Sequence, residues 1–312
     1  NLNLKDVSGN MVIRDEAISL NNLKMGIFGG SIGLTGTVST KGNTPKFDMD
    51  LGLNAVNIAE SFSQLDMLKA IAPIAEVING KLNSTIKLNG VLQQDMTPNL
   101  KTISGDLLGQ LLTTTINAQN SALLTTLSSN LKFIDMSKVN LNDVKAVLSF
   151  KDGKVNVQPF DIKYQDLIVT VVGTHGFDQS MNYNLKFDVP VKYLGNDVNK
   201  LIAKLTPADQ QKITSIPVTG LMTGNFSQPK FNTDIKQSTT NLTTQLVKMQ
   251  KEKYIEKGTN ALNNLLKGTK NNNSANDSMP KASTPKEEIK NTVKEKASDA
   301  LKGLFGGKKK KE

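Results

Sequence analysis

The sequence predicts a mainly β protein: one long, twisted antiparallel sheet in a groove-like form, with short inserted helices and a helical or disordered tail. Three observations lead there. Apolar residues recur with period two through most of residues 1–236, the mark of strands with one apolar and one polar face. Turn dipeptides separate the runs: Gly29-Gly30, Lys41-Gly42-Asn43, Asn89-Gly90 and Asp152-Gly153. A stretch near the start also returns 137 residues later with its apolar phase intact.

The strands come in order. Ile18 and Leu20 alternate with Ser19; Met49, Leu51 and Leu53 follow Phe47 across Asp48, Asp50 and Gly52. Ile86 and Leu88 keep the phase of Leu82, and Val155 and Val157 flank Asn156. Leu185, Phe187 and Val189 belong to the longest run, from Tyr183 to Val191. Helical spacing interrupts this pattern in four places. Residues 56–78 read as a helix that Pro73 kinks or divides. Residues 120–131 read as a short helix, and 196–212 as one or two more, the second opened by Pro207. A further helix covers 237–267, with Leu242, Leu246, Met249, Leu262, Leu265 and Leu266 on an interrupted stripe.

The repeat joins residues 4–39 to 141–176 without a gap. It pairs Asp15 with Asp152, Ile18 with Val155, Leu20 with Val157, and Gly36-Thr37 with Gly173-Thr174. A shorter theme also recurs: Gly36, Gly90 and Gly224 each close a strand, and Pro45, Pro98 and Pro229 each open the turn to a new one. Similar hairpin groups added in series give one extended sheet. So few helices can cover its apolar face only in part.

Composition narrows the chemistry. Of the 312 residues 38% are apolar and 5% aromatic, with no Trp, so the core is Leu, Ile, Val and Met. Cys is absent, which removes disulfides, thiolate metal sites and Cys nucleophiles. His175 is the sole His and Arg14 the sole Arg, so neither a His metal cluster nor an Arg-based nucleic-acid surface is available. These absences argue against an enzyme; no catalytic residue, metal site or cofactor is expected. Asp15/Glu16 and Asp48/Asp50 read as solvated carboxylates at a turn and on a polar strand face, and His175 as a surface or hydrogen-bonded strand-end residue rather than a ligand. Gly29-Gly30 lacks the Gly-Lys-Ser/Thr that a phosphate loop needs. No apolar run reaches about 18 residues, the length of a membrane-spanning helix.

The net charge of +10 is unevenly placed: residues 246–312 hold 16 Lys and 8 acids, whereas 1–245 hold 22 basic and 20 acidic residues. Residues 268–285, rich in Asn, Ser, Lys and Pro, read as a disordered linker. Residues 286–312 read as an amphipathic helix with a Lys-rich end. Its apolar positions Ile289, Val293, Leu301, Leu304 and Phe305 suit a membrane surface or a protein partner. The chain opens at Asn1 inside a strand-like pattern, which reads as a fragment or processed product.

Several of these elements resemble the C-terminal region of the AsmA family of Gram-negative envelope proteins. They are Asp6-Val7, Asp15-Glu16, Phe28-Gly29-Gly30-Ser31-Ile32-Gly33-Leu34-Thr35-Gly36-Thr37-Val38, Ile216-Pro217-Val218-Thr219-Gly220, and Gly224-Asn225-Phe226-Ser227-Gln228-Pro229-Lys230-Phe231. The resemblance covers roughly residues 1–235, and the Lys- and Asn-rich composition resembles that of Bacteroidota members. It implies a non-catalytic periplasmic protein held in the inner membrane by an N-terminal helix. Such a protein would be similar to bridge-like lipid-transfer proteins, carrying phospholipid along an apolar β-groove and supporting outer-membrane assembly. The groove would then be lined by Ile18, Leu20, Met49, Leu51, Leu53, Ile86, Leu88, Val155, Val157, Leu185, Phe187 and Val189. Periodicity alone also allows these residues to fill a closed core. The chain would then be a periplasmic scaffold whose basic tail docks a membrane or envelope protein.

Overall fold

A computed structural model describes residues 2–268. Twelve strands form one antiparallel sheet in which every strand pairs only with its neighbours in sequence, so β1 and β12 are its two edges. They are β1 (Lys5–Arg14), β2 (Ala17–Ile27), β3 (Gly30–Ser39), β4 (Lys46–Asn57), β5 (Ile78–Val91), β6 (Ser104–Ile116), β7 (Lys145–Lys151), β8 (Lys154–Tyr164), β9 (Leu167–Gly176), β10 (Ser180–Pro190), β11 (Ser215–Asn225) and β12 (Pro229–Thr233).

Helices enter at three of the connections, and a fourth follows the last strand. Between β4 and β5 lie α1 (Ile58–Gln64), α2 (Asp66–Ile71) and a 3-10 turn (Pro73–Val77). Asn57 caps α1 by accepting from the Glu60 amide at 2.9 Å. Pro73 divides the predicted 56–78 helix, because it lacks the amide needed to continue α2. Between β6 and β7 lies α3 (Ala122–Asn130), capped by Ser121. Between β10 and β11 lie α4 (Asn196–Ala203) and α5 (Pro207–Gln210), the latter with Thr206 as cap and Pro207 at its first position. The last helix, α6, spans Ile235–Gly268. Residues through Tyr254 form one compact unit that includes the buried Leu242 and Leu246 of α6; from Ile255 the helix belongs to a second unit. The linker of 268–285 and the amphipathic segment of 286–312, with Ile289, Val293, Leu301, Leu304 and Phe305, lie outside the described residues apart from helical Gly268.

The 137-residue repeat is present in the backbone. Added to the bounds of β2 and β3, it returns those of β8 and β9. Both copies carry a register irregularity at the matching place, Leu20/Leu23 in β2 and Val157/Phe160 in β8. Both make the same closing bond after the third strand, from the Thr40 amide to the Glu16 carbonyl (2.8 Å) and from the Phe177 amide to the Gly153 carbonyl (2.9 Å). The shared Gly36 and Gly173 have a steric reason. A Cβ would lie 2.2 Å from the Asp48 carbonyl oxygen at the first and 2.3 Å from that of Asn182 at the second, so only Gly admits the neighbouring strand so closely.

The shorter Gly–Pro theme is kept at two of its three sites. Pro45 immediately precedes β4 and Pro229 opens β12. At Pro98 the expected strand is only a single bridge to Leu92, followed by a 3-10 turn (Leu100–Thr102). Asn99 nucleates that turn by accepting from the Lys101 amide, which delays β6 to Ser104.

Candidate functional site

Cross-strand register sorts the apolar residues into rows that cross the sheet on one face. One row links Met11, Leu20, Gly36, Met49, Leu88, Gly105, Phe150, Val155, His175, Met181, Gly224 and Pro229, one residue from each strand. The next links Leu23, Leu34, Leu51, Ile86, Leu107, Leu148, Val157, Gly173, Tyr183, Met222 and Phe231. Ile18, Leu53, Leu185, Phe187 and Val189 fall on the same face in flanking rows. All twelve residues singled out for the groove therefore share one face.

That face is covered unevenly. Over β8–β11, helices α3, α4 and α6 bring Leu124, Leu127, Val198, Ile202, Leu242 and Leu246 into one cluster with Val169, Leu185, Phe187, Val189, Ile216 and Val218. Leu185, Phe187 and Val189 thus belong to a closed core. Over β4–β8 the sheet largely buries its own face: Phe47, Leu53, Ile86, Leu88, Leu107, Phe150, Val155 and Val157 cluster with Ile71 of α2. Toward β1 the cover thins. Ile18, Met49 and Leu51 are half-buried, and so are Leu23, Met25, Ile32, Leu34 and Val38 on the same face. At the β1 edge Met11 and Ile13 are 57% and 74% exposed. The open apolar area is therefore part of the inner face of β1–β4; Leu20, Phe47 and Leu53 on that face are buried. Sequence periodicity singled out three of its half-buried members. It missed Leu23 and Met25 because β2 contains a register irregularity between Leu20 and Leu23 that breaks its alternation. Ile32, Leu34 and Val38 of β3 keep a clean alternation, interrupted only by Gly36.

Two polar side chains interrupt the two long rows, and they bond to each other. The Tyr183 hydroxyl lies 2.7 Å from Nδ1 of His175, and Nε2 of His175 lies 2.9 Å from the Ile71 carbonyl. A carbonyl only accepts, so Nε2 carries the proton and Nδ1 accepts from the tyrosine. The imidazole also meets Phe226 edge-on, with ring centroids 5.6 Å apart. Burial holds the His175 pKa below its ordinary value, against the opposing pull of the Ile71 and Ala70 backbone. Burial likewise raises that of Tyr183. The pair ties the end of α2 to β9 and β10, closing the apolar face at that point. His175 is thus a buried anchor within an apolar row.

The carboxylates show no convergence. Asp48 and Asp50 face away from the apolar rows, Asp50 pairing in register with Lys87. Asp15 and Glu16 form the exposed β1–β2 turn. Among the described residues no group of three or more His, Cys, Asp or Glu could hold a metal ion. No helix among them is long and apolar enough to cross a membrane. The chain matches no protein-family model, no curated protein and no solved structure.

Proposed function

We propose that this chain is a non-catalytic, AsmA-like envelope protein of the periplasm. It binds phospholipid acyl chains on the open inner face of β1–β4 and helps pass them between the inner and outer membranes, in support of outer-membrane assembly. The observation that carries this reading is the half-buried surface of Ile18, Leu23, Met25, Ile32, Leu34, Val38, Met49 and Leu51, which lies around the buried Leu20, Phe47 and Leu53. It is apolar along its length, has no ionisable side chain in its rows, and continues the long rows of the covered sheet. Contacts of this kind need no specific headgroup partner. Burying about ten acyl methylenes is worth about 8 kcal/mol at about 0.8 kcal/mol each. The same lack of directed bonds lets a chain slide.

The test is native mass spectrometry with lipid extraction. The wild-type chain should carry phospholipid at defined stoichiometry. Leu34→Glu and Leu51→Glu, which place a carboxylate among half-buried neighbours, should fold and lose most of it. Full lipid retention in both folded variants would remove the reading.

A second reading, a scaffold that docks a partner or membrane, draws on the closed core around Leu185, Phe187 and Val189. A wild-type chain that stays free of lipid after incubation with liposomes would favour it.

A further inference from the structure

The two edges of the sheet are built differently. β12 is five residues long, opens with Pro229, which has no amide to offer, and lies against α3. β1 is ten residues long, has no proline and is exposed at every position. Asp15 and Glu16 both have positive φ and Arg14 pairs with Ala17, so a two-residue turn is closed by a mutually hydrogen-bonded pair. Val12 therefore also bonds to β2, while Met11 and Ile13 aim their amides and carbonyls away from it. Among the described residues no strand receives these groups.

The internal repeat shows what receives them in the other copy. β1 and β7 end at matching residues, Arg14 and Lys151, so Met11 and Ile13 correspond to Leu148 and Phe150. There β6 runs antiparallel along the edge, with Leu107 opposite Leu148 and Gly105 opposite Phe150. Leu148 and Phe150 are 7% and 2% exposed, against 57% and 74% for Met11 and Ile13. The seat thus takes a strand with glycine opposite the last apolar residue and a large aliphatic residue two positions on. β1 is itself such a strand: Gly9 and Met11 stand in the order of Gly105 and Leu107. Both glycines also share a positive φ, 130° and 151°, that other residues rarely adopt.

We propose that the β1 edge binds the β1 edge of a second copy of this chain. The two strands run antiparallel about a two-fold axis, with Met11 opposite Met11 of the second copy and Gly9 opposite its Ile13. Asn10 then faces Val12 and Ser8 faces Arg14, so no like charges oppose each other between Ser8 and Arg14. The axis stands perpendicular to the sheet, which keeps both apolar faces on one side. The row of apolar residues that ends at Met11 continues into the second copy. The inference rests on the edge and the repeat, and does not require that the inner face carry lipid.

Sedimentation velocity over a concentration series tests it. The full chain should pass from monomer to dimer. Met11→Lys and Met11→Glu each place like charges opposite each other and should weaken the dimer by about tenfold or more. An equal mixture of the two variants should pair again. Both change an exposed position and should keep the wild-type circular dichroism. Since the chain has no Cys, Met11→Cys should also cross-link across the axis under oxidation, whereas the equally exposed Val7→Cys should not. A wild type that stays monomeric throughout overturns the proposal. So does a dimer that both charge variants retain, or one that the mixture fails to restore. A monomeric wild type that binds a peptide of residues 104–112 would assign the edge to a foreign strand and equally overturn it.

Discussion

Strands β2–β3 and their repeat, β8–β9, present the same backbone in two settings. In β8–β9 the inner face is sealed: Val155 is fully buried, and Val169 and His175 are nearly so. In β2–β3 the matching residues Ile18, Ile32 and Val38 are half-buried. The two copies share strand bounds, the bulge, the closing hydrogen bond and the glycine that lets the next strand approach. The difference comes from what is packed on them. The second copy lies among α2, α3, α4 and α6, whereas the first meets mostly its own neighbours. A strand's apolar phase fixes which face is apolar. Only the rest of the chain decides whether that face becomes core or surface.

A carboxylate placed at the same position in each copy should expose this difference most strongly. Val155→Asp puts an unpaired charge or a neutralised acid in a site with no water. It should cost about 4 kcal/mol or more, enough to abolish cooperative unfolding in a chain of ordinary stability. Ile18→Asp meets solvent on one side and should cost about 1–2 kcal/mol. Urea unfolding of the two variants checks this. Equal losses would mean that the inner face of β1–β4 is as closed as that of β8.

The sheet was legible because one face is apolar along most strands, so period two survives in sequence through Phe47–Leu53 and Tyr183–Val189. The repeat was legible because loop lengths are equal in both copies. The extent of cover was not: Leu51 and Leu185 read alike in sequence, yet one is half-buried and the other lies under helices. That distinction is tertiary. The role of His175 also escaped, although a signal for it existed. It keeps the apolar parity of Val169 and Val171, and its repeat partner is Val38. A polar residue on an apolar phase calls for a buried partner, and Tyr183 and the Ile71 carbonyl supply two.

Exchanging His175 for the residue of the other copy gives the next effect in size. His175→Val leaves the Ile71 carbonyl and Tyr183 hydroxyl without this partner and should cost about 1–3 kcal/mol near neutral pH. Its pH profile distinguishes the residue's charge from its packing. Burial lowers the folded pKa below the ordinary value of about 6.5, so below that pH the unfolded chain takes up a proton that the folded chain resists. Wild-type stability is complete above about pH 6.5 and declines beneath it, by at most about 1.4 kcal/mol per pH unit, until the folded imidazole titrates. The valine variant should lack this component. Unfolding free energies at about pH 7.5 and 5.5 measure it, and equal slopes for the two proteins would show that folding leaves the His175 pKa unshifted.

The smallest expected effect lies at the first turn of each copy. Arg14 pairs with Ala17 and Lys151 with Lys154, so each hairpin turns on two residues. Both residues of each turn have positive φ: 53° and 57° at Asp15-Glu16, 51° and 73° at Asp152-Gly153. This is the geometry that suits the twist of a two-residue hairpin, and it is the one for which Gly is favoured. Glu16 adopts it at a cost in Cβ crowding that Gly153 does not meet. Gly loses more chain entropy on folding, which offsets part of the gain. Glu16→Gly should therefore stabilise the chain by about 0.5–1 kcal/mol, and Gly153→Glu should destabilise it by a similar amount. The Arg14–Asp15 ion pair at 3.2 Å will not mask the result, since both side chains are more than 80% exposed and such pairs contribute little. Opposite shifts of the urea midpoint in the two variants would show that the copies share turn energetics as well as turn geometry. A Glu16→Gly chain no more stable than wild type would mean that the exposed β1 edge frays before its turn can contribute.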